Sequence, residues 1–252
     1  MTAPNQLWCV DFKGHFRTGD GEKVHPLTIT DAHGRFILRC EIVDDPDGAC
    51  VRQVFESAFR EFGLPDAIRS DNGPPFASTG IAGLSQLSVW WVRLGIRLER
   101  IEPGKPQQNS RHERMHLTLK QQTASPPQAT PPRQQRAFDL FVREFNYERP
   151  HEGLEMKTPA ELYVCSMRDF PERTPELYSY QDRFDYQLLQ VDKVGFVIWQ
   201  RRRVFVSVAL RHERIAFDPV GPRQWQVSFG PIVLGIYDET RKDKGIIRPK
   251  AQ

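Results

Sequence analysis

Three carboxylates in this chain are placed for chemistry. Asp11 sits inside the apolar run Leu7-Trp8-Cys9-Val10-Asp11-Phe12, Asp71 opens the tetrapeptide Asp71-Asn72-Gly73-Pro74, and Glu113 falls near the start of a predicted helix. A hard divalent ion that works on phosphate oxygens needs several ionised carboxylates converging from separate rigid elements. Each acid also has a structural alternative. Asp11 can face outward from a half-exposed strand whose other face carries Trp8, Val10 and Phe12, although a carboxylate in such a run is expensive unless something pairs with it. Asp71 can close an Asx-turn onto the backbone two residues on. Ser110-x-x-Glu113 fits a capping box, with Ser110 as the cap and Glu113 bonding back to it. Lys120 is seven residues beyond Glu113, about 20° away round a helix, where it can meet a phosphate or be an ordinary solvated lysine.

The elements that must position these acids are legible from periodicity. Alternation around residues 7–12, 27–30 and 35–43 predicts three strands joined by short turns, an antiparallel meander. From Ala49 the period changes: Val51, Val54, Phe55, Ala58, Phe59 and Phe62 form one apolar stripe of a helix ended by Gly63. A short strand, 67–70, leads to Asp71. A second helix holding Leu84, Leu87, Trp91 and Leu94, a strand over 96–101 and a helix from about Ser110 follow. That order matches a ribonuclease-H-like layout, a mixed sheet with helices on both faces. A Pro-rich interruption is expected over 126–132, a helix over 134–147, and a short helix capped by Thr158 with Pro159 in its first turn.

Residues 166–190 are polar and weakly patterned and read as a linker. After Lys193 the composition turns to β, with five short strands expected at 194–199, 203–210, 215–220, 224–229 and 232–237, a small SH3-like barrel. The expected division is a catalytic core over 1–165, the linker 166–190 and a basic β domain over 191–252.

With 39% hydrophobic residues in 252, the chain can bury a core, and no apolar run is long enough to cross a bilayer. A cytoplasmic protein with no membrane partner is expected. Cys9, Cys40, Cys50 and Cys165 form no Cys-x-x-Cys pair and no zinc pattern with the histidines. The net charge of +3 hides an asymmetry: residues 191–252 hold 12 Lys and Arg against 6 Asp and Glu, which marks that end as the likelier surface for a polyanion backbone.

Four ordered motifs carry a resemblance. They are Trp8-Cys9-Val10-Asp11-Phe12-Lys13-Gly14, Ser70-Asp71-Asn72-Gly73, Pro103-Gly104-Lys105-Pro106-Gln107-Gln108-Asn109-Ser110-Arg111-His112-Glu113-Arg114, and Asn146-x-x-Arg149-Pro150-His151-x-x-Leu154, followed by Thr158-Pro159-Ala160-Glu161-Leu162. Together they resemble bacterial insertion-sequence transposases of the DDE, retroviral-integrase-like family. The resemblance implies that Asp11, Asp71 and Glu113 are the catalytic and metal-binding acids. It also implies two Mg²⁺ ions as cofactors, with Mn²⁺ able to substitute, and DNA cleavage and strand transfer as the activity.

DNA, as transposon ends and target, is the expected partner, in a homo-oligomer formed on the DNA of a bacterial nucleoid. Lys105, Gln107, Asn109, Arg114 and Lys120 surround Glu113 in sequence and are candidate DNA contacts. Arg201, Arg202 and Arg203 are candidates in the β domain, with a solvated hairpin turn as their alternative. The gap of 41 residues between Asp71 and Glu113 is longer than the family's usual one, so an insertion is expected around 80–91. Family members usually carry a helix-turn-helix region ahead of the first acid, here already at position 11, so a truncated gene product or an excised domain is expected. Two alternatives stay open: a nuclease of the same fold that stops at hydrolysis, and a non-catalytic DNA-binding remnant.

Overall fold

Alternating apolar residues make Trp8–Phe12 (β1) the centre of a sheet that also contains Phe16–Arg17 (β2), Lys23–Asp31 (β3), Ile37–Val43 (β4), Ala67–Ser70 (β5) and Arg97–Arg100 (β6). The strand order is β2-β3-β1-β5-β6, with β4 also paired to β3. Strands β1, β3 and β4 pair antiparallel, as the meander predicts, whereas β5 joins β1 and β6 joins β5 in parallel. The computed structural model describes residues 1–101, 110–178, 186–241 and 245–248, with the backbone alone for 110 and 111.

Strand parity separates the two faces of this sheet. Trp8 and Val10 on β1 and Leu27 and Ile29 on β3 share one face and are buried. The helix Gly48–Phe62 (α1) supports that side, with Phe59 at 5.7 Å ring to ring from Trp8. Asp47 caps α1 by accepting from Cys50 N, and the helix stops at Gly63 with φ of 75°. A Cβ at Gly63 would come within 2.8 Å of the Ser166 carbonyl oxygen, so glycine is required there both for its φ and for the close approach. The opposite face carries Cys9, Asp11, Thr28 and Thr30. The helix Ser110–Thr123 (α3) docks on that face, and the helix Pro131–Arg143 (α4) packs with it over β4 through Met115, Leu119, Phe138, Phe141, Ile37 and Cys40.

Two differences from expectation lie here. The Pro-rich interruption is shorter than predicted because Pro131 and Pro132 open α4, where proline's fixed φ suits the first turn. The helix also does not run regularly to Tyr147, since Glu144–Glu148 is a π-helical turn. The short helix Pro159–Leu162 (α5) is capped by Thr158 as expected, with Glu161 completing a capping box.

Contacts divide the chain into two compact units, Met1–Pro75 with Gly95–Glu172, and Phe76–Leu94 with Arg173–Gln252. Phe76–Leu94, the greater part of the stretch between β5 and β6, therefore belongs to the second unit. There the helix Gln86–Arg93 (α2) is capped by Ser85 in a box with Ser88. The β part comprises Gln187–Gln190 (β7), Phe196–Trp199 (β8), Arg202–Phe205 (β9), Arg214–Gly221 (β10), Gln224–Phe229 (β11), Ile232–Asp238 (β12) and Ile246–Ile247 (β13). All its pairs are antiparallel, as a five-stranded sheet β13-β12-β11-β10-β7 and a β8/β9 ribbon. The run 203–210 is not one strand, because a 3-10 turn at Val208–Leu210 follows β9. β7 lies in the segment read as linker, and its Gln-Leu-Leu-Gln sequence lacks the alternation that marks the others. Trp199 centres this core, stacked on Phe217 at 4.8 Å and edge-on to Trp225 at 4.6 Å.

Candidate catalytic site

The parallel register of β1 and β5 pairs Trp8 with Ile68 and Cys9 with Arg69. Carried two residues on, it sets Asp11 level with Asp71, the residue that follows β5. Adjacent strands run about 4.8 Å apart, so two carboxylates from unrelated parts of the sequence come to neighbouring positions at one end of the sheet. Asp11 is partly buried, on the α3 side. Asp71 is exposed, and its Oδ1 accepts from Gly73 N at 3.2 Å. The Asx-turn is therefore real, and it fixes the carboxylate. A Cβ on Gly73 would stand 3.3 Å from Asp71 Oδ2, so the glycine leaves room for the turn to fold over that oxygen. Arg100 supports the same loop, donating from Nη1 to Ser70 Oγ at 2.9 Å and to the Asp71 carbonyl oxygen at 3.4 Å.

Glu113 lies in the first turn of α3 and is exposed. Ser110 is itself helical in α3, one place further in than a cap residue. Among the described residues no three His, Cys, Asp or Glu side chains are grouped closely enough to hold one ion. Asp11 on β1 and Asp71 just after the adjacent β5 are thus brought to one end of the sheet, while Glu113 comes from the helix laid over that face.

Two histidines that sequence reasoning passed over determine where α3 sits. His112 and His116 are buried, and the Nε2 atom of each lies 2.6 Å from Thr28 Oγ1. Thr28 is the cross-strand partner of Asp11 and also donates to the Asp11 carbonyl oxygen at 3.2 Å. Thr30 Oγ1 lies 3.2 Å from His112 Nδ1. The helix turn bearing Glu113 is therefore pinned at the level of Asp11. Burial pushes the His112 imidazole down to about 4, and burial followed by the neighbouring His112 and Lys13 pushes His116 down to about 2. The 4.0 Å approach of His116 Nδ1 to Asp11 Oδ2 is accordingly a contact of a neutral ring and not an ion pair. The available signal was spacing: His112, Met115, His116 and Leu119 fall at i, i+3, i+4 and i+7, the buried stripe of α3.

Arg114 and Lys120 are exposed on α3. Lys120 lines a small cavity of about 90 Å³ with Lys13, His15, Phe16 and Phe138. Lys105, Gln107 and Asn109 lie outside the described residues. In the second unit Arg201, Arg202 and Arg203 are exposed around the β8/β9 turn, Arg203 being paired with Asp192 at 2.9 Å.

The donor set suits a hard cation. The groups offered are carboxylates. Both imidazoles beside Asp11 are committed to Thr28, and burial pushes the Cys9 thiol up to about 11, so it stays protonated. Mg²⁺ prefers such oxygen donors in small number and fills the rest of its shell with water and phosphate.

Residues 1–106 match one family model described as Integrase core domain, and residues 94–159 match a second with the same description. The insertion element IS407 uncharacterized 31.7 kDa protein of Burkholderia multivorans is 28% identical over 161 residues, covering 64% of this chain and 56% of that protein. The IS476 uncharacterized 39.2 kDa protein of Xanthomonas euvesicatoria is 28% identical over 162 residues, covering 64% and 45%. The chain spans about half the length of the curated relatives it matches.

Two solved structures share the fold. The HTLV-2 integrase catalytic core domain in complex with magnesium, in a trimeric form, superposes with a TM-score of 0.51 at 16% identity, covering 64% of this chain and 98% of that one. The simian T-cell lymphotropic virus intasome gives 0.55 at 17%, covering 99% and 81%. Among the described residues no helix is long and apolar enough to cross a membrane. Residues 1–159 are thus matched end to end by integrase core-domain models, and the chain is similar to bacterial insertion-sequence proteins, on a ribonuclease-H-like fold.

Proposed function

We propose that the chain is a DDE transposase that cleaves DNA and transfers the resulting 3′-OH strand, with Asp11, Asp71 and Glu113 as its catalytic acids. The observation that supports this reading is the parallel β1/β5 register, which, continued past Cys9 and Arg69, brings Asp11 level with Asp71 in the turn after β5, under a helix pinned at Thr28. Asp11, Asp71 and Glu113 would together hold the two Mg²⁺ ions. When bound, such an ion pair supplies an activated water or 3′-hydroxyl nucleophile and neutralises charge on the departing oxygen of an in-line phosphoryl displacement.

The chain's own residues orient and exclude. The Asx-turn at Asp71 orients that carboxylate through the Gly73 N–H, and the His112, His116 and Thr28 cluster fixes α3 without adding a competing charge. Arg114, Lys120, Lys105, Gln107 and Asn109 would meet DNA beside the acids, and Arg201, Arg202 and Arg203 would meet its backbone from the second unit. Assembly as a homo-oligomer on DNA belongs to the same reading, supported by the trimeric core and the intasome among the structures of like fold.

The test is incubation with Mg²⁺ or Mn²⁺, a labelled oligonucleotide ending in a 3′-OH, and a target duplex. Joined strands are expected, and they should vanish with EDTA and with Asp11→Asn, Asp71→Asn or Glu113→Gln while thermal melting is unchanged. Cleavage without joining would make the chain a nuclease. Binding with neither reaction would leave a DNA-binding module.

A further inference from the structure

The β8/β9 ribbon has an inner face of core residues and an outer face of a different kind. Val197, Trp199 and Val204 point inward and are buried. Residues of the other parity, Phe196, Ile198, Arg203 and Phe205, point outward, with Ile198 68% and Phe205 50% exposed. Phe196 and Phe205 are cross-strand partners with ring centroids 5.1 Å apart. The Arg203 guanidinium carbon lies 4.2 Å from the Phe196 centroid, and Asp192 holds the same group from the side at 2.9 Å. A flat cation is thus already ordered on an aromatic ring, with exposed apolar surface beside it.

The turn joining the strands is unusual in the same direction. Gln200 and Arg201 have φ of 43° and 67°, a left-handed pair that hairpins normally assign to Asn or Gly. Non-glycine residues persist there at a cost, and the result is Arg201 at the tip with Arg202 next to it. From Phe205 the surface continues into an open groove of about 660 Å³, whose lining includes Ser85, Ser207 and Arg248.

We infer that this face and groove bind unpaired nucleotides of a DNA strand. Bases stack on Phe205, Ile198 and the Phe196 and Arg203 pair, while Arg201, Arg202 and Arg248 meet the phosphates. The inference rests on the reading that the chain acts on DNA and specifies what its second unit takes hold of. Every base has a stackable face, so such a platform is tolerant of sequence and contributes about five- to a hundredfold in affinity per base.

A second protein chain fits less well. Two strands of four residues at about 3.3 Å rise and about 4.8 Å apart present roughly 13 by 10 Å, far short of the about 800 Å² per partner of a stable protein interface. The twofold excess of basic over acidic residues in 191–252 also calls for an anion.

The experiment measures anisotropy of a labelled duplex, blunt or with a short unpaired 3′ extension, titrated with the full chain. The extended duplex should bind more tightly, and Phe205→Ala combined with Ile198→Ala should weaken it about tenfold with the blunt duplex unchanged. Phe205→Trp should keep the preference, which separates stacking from misfolding. Equal loss on both duplexes, or no loss, overturns the stacking face while leaving the strand-transfer reading standing. Absence of binding to either duplex overturns both. If sedimentation shows wild type as a dimer and the double variant as a monomer that still prefers the extension, the face is a contact between copies and the inference fails.

Discussion

The hydroxyl of Thr28 donates to the carbonyl oxygen of its cross-strand partner Asp11 at 3.2 Å, a bond that ties β1 to the histidine cluster above it. A hydroxyl has a single proton and two lone pairs. With the proton on Asp11, both imidazoles must donate Nε2–H to Thr28 Oγ1, which fits their equal 2.6 Å distances. His112 Nδ1 is then bare and accepts from Thr30. This arrangement predicts both rings neutral with the proton on Nε2, which nitrogen shifts of the histidines would read directly.

Thr28→Val keeps the shape and removes the acceptor. Two buried N–H groups lose their partner, at about 1 to 3 kcal/mol each, so unfolding free energy should drop by about 3 kcal/mol while Thr28→Ser stays close to wild type. Equal stability of the valine and serine variants in urea titrations would show that the hydroxyl does not anchor α3.

Acid should loosen the same cluster. Burial holds His112 at about 4 and His116 at about 2, both below the ordinary 6.5. Between these limits the unfolded chain binds protons that the folded chain refuses, so the contribution to stability is complete above pH 6.5 and is lost as pH falls towards 4. Each unit of displacement is worth about 1.4 kcal/mol. Metal-free protein should therefore be about 4 kcal/mol less stable at pH 5 than at pH 7, and a variant with both histidines replaced by asparagine should show a much flatter dependence. An identical slope in that variant would assign the acid sensitivity to other groups.

Gly73→Ala tests whether the Asp71 turn positions a working carboxylate. The added Cβ meets Asp71 Oδ2 at 3.3 Å and displaces it by a few tenths of an ångström. Small misplacements at a reacting centre cost on the order of tenfold or more in rate, whereas an exposed loop change moves stability by about 0.5 kcal/mol or less. Nicking should fall and recover in part with excess Mg²⁺, with the melting temperature unmoved. Full activity at limiting Mg²⁺ would remove Asp71 from the ligand set.

Asn146 makes a different kind of motif residue. Its side-chain carbonyl accepts from Ile37 N and its amide donates to the Ile37 carbonyl oxygen, both at 2.9 Å, so it pairs with the start of β4 as a strand would. Arg149 of the same motif binds Glu144 at 2.6 Å and His151 lies against Phe145. Asn146→Ala should cost about 3 kcal/mol, since two buried backbone groups lose partners, and Asn146→Asp should fare no better because it cannot donate. Loss of DNA affinity at unchanged stability would instead make the motif a contact.

The strands of the first sheet, α1 and the turn at Asp71 were legible because each rests on local pattern: alternation, an apolar stripe, a carboxylate beside turn formers. What sequence hid depends on partners far along the chain. Thr28 and His116 are 88 residues apart, so a hydroxyl anchoring two imidazoles leaves no local trace, and Asn146 bonds a backbone 109 residues away. The β7 strand was equally obscure, because Gln-Leu-Leu-Gln is recognisable only by its register with β10. Likewise, nothing in the spacing of 76–94 announces that this stretch packs within the second unit.

The β8/β9 turn offers the sharpest separation of stability from binding. Gln200 and Arg201 both occupy the left-handed region, which glycine enters without steric cost. Gln200→Gly should therefore stabilise the chain by about 0.5 to 1 kcal/mol and leave duplex affinity untouched. Arg201→Gly should stabilise by a similar amount but weaken the duplex with the unpaired extension and lower its slope of log affinity against log salt by about 1, the signature of one lost phosphate contact. If Arg201→Gly kept both its affinity and its salt slope, the tip arginine would be an ordinary solvated turn residue, and its strained backbone would need another explanation.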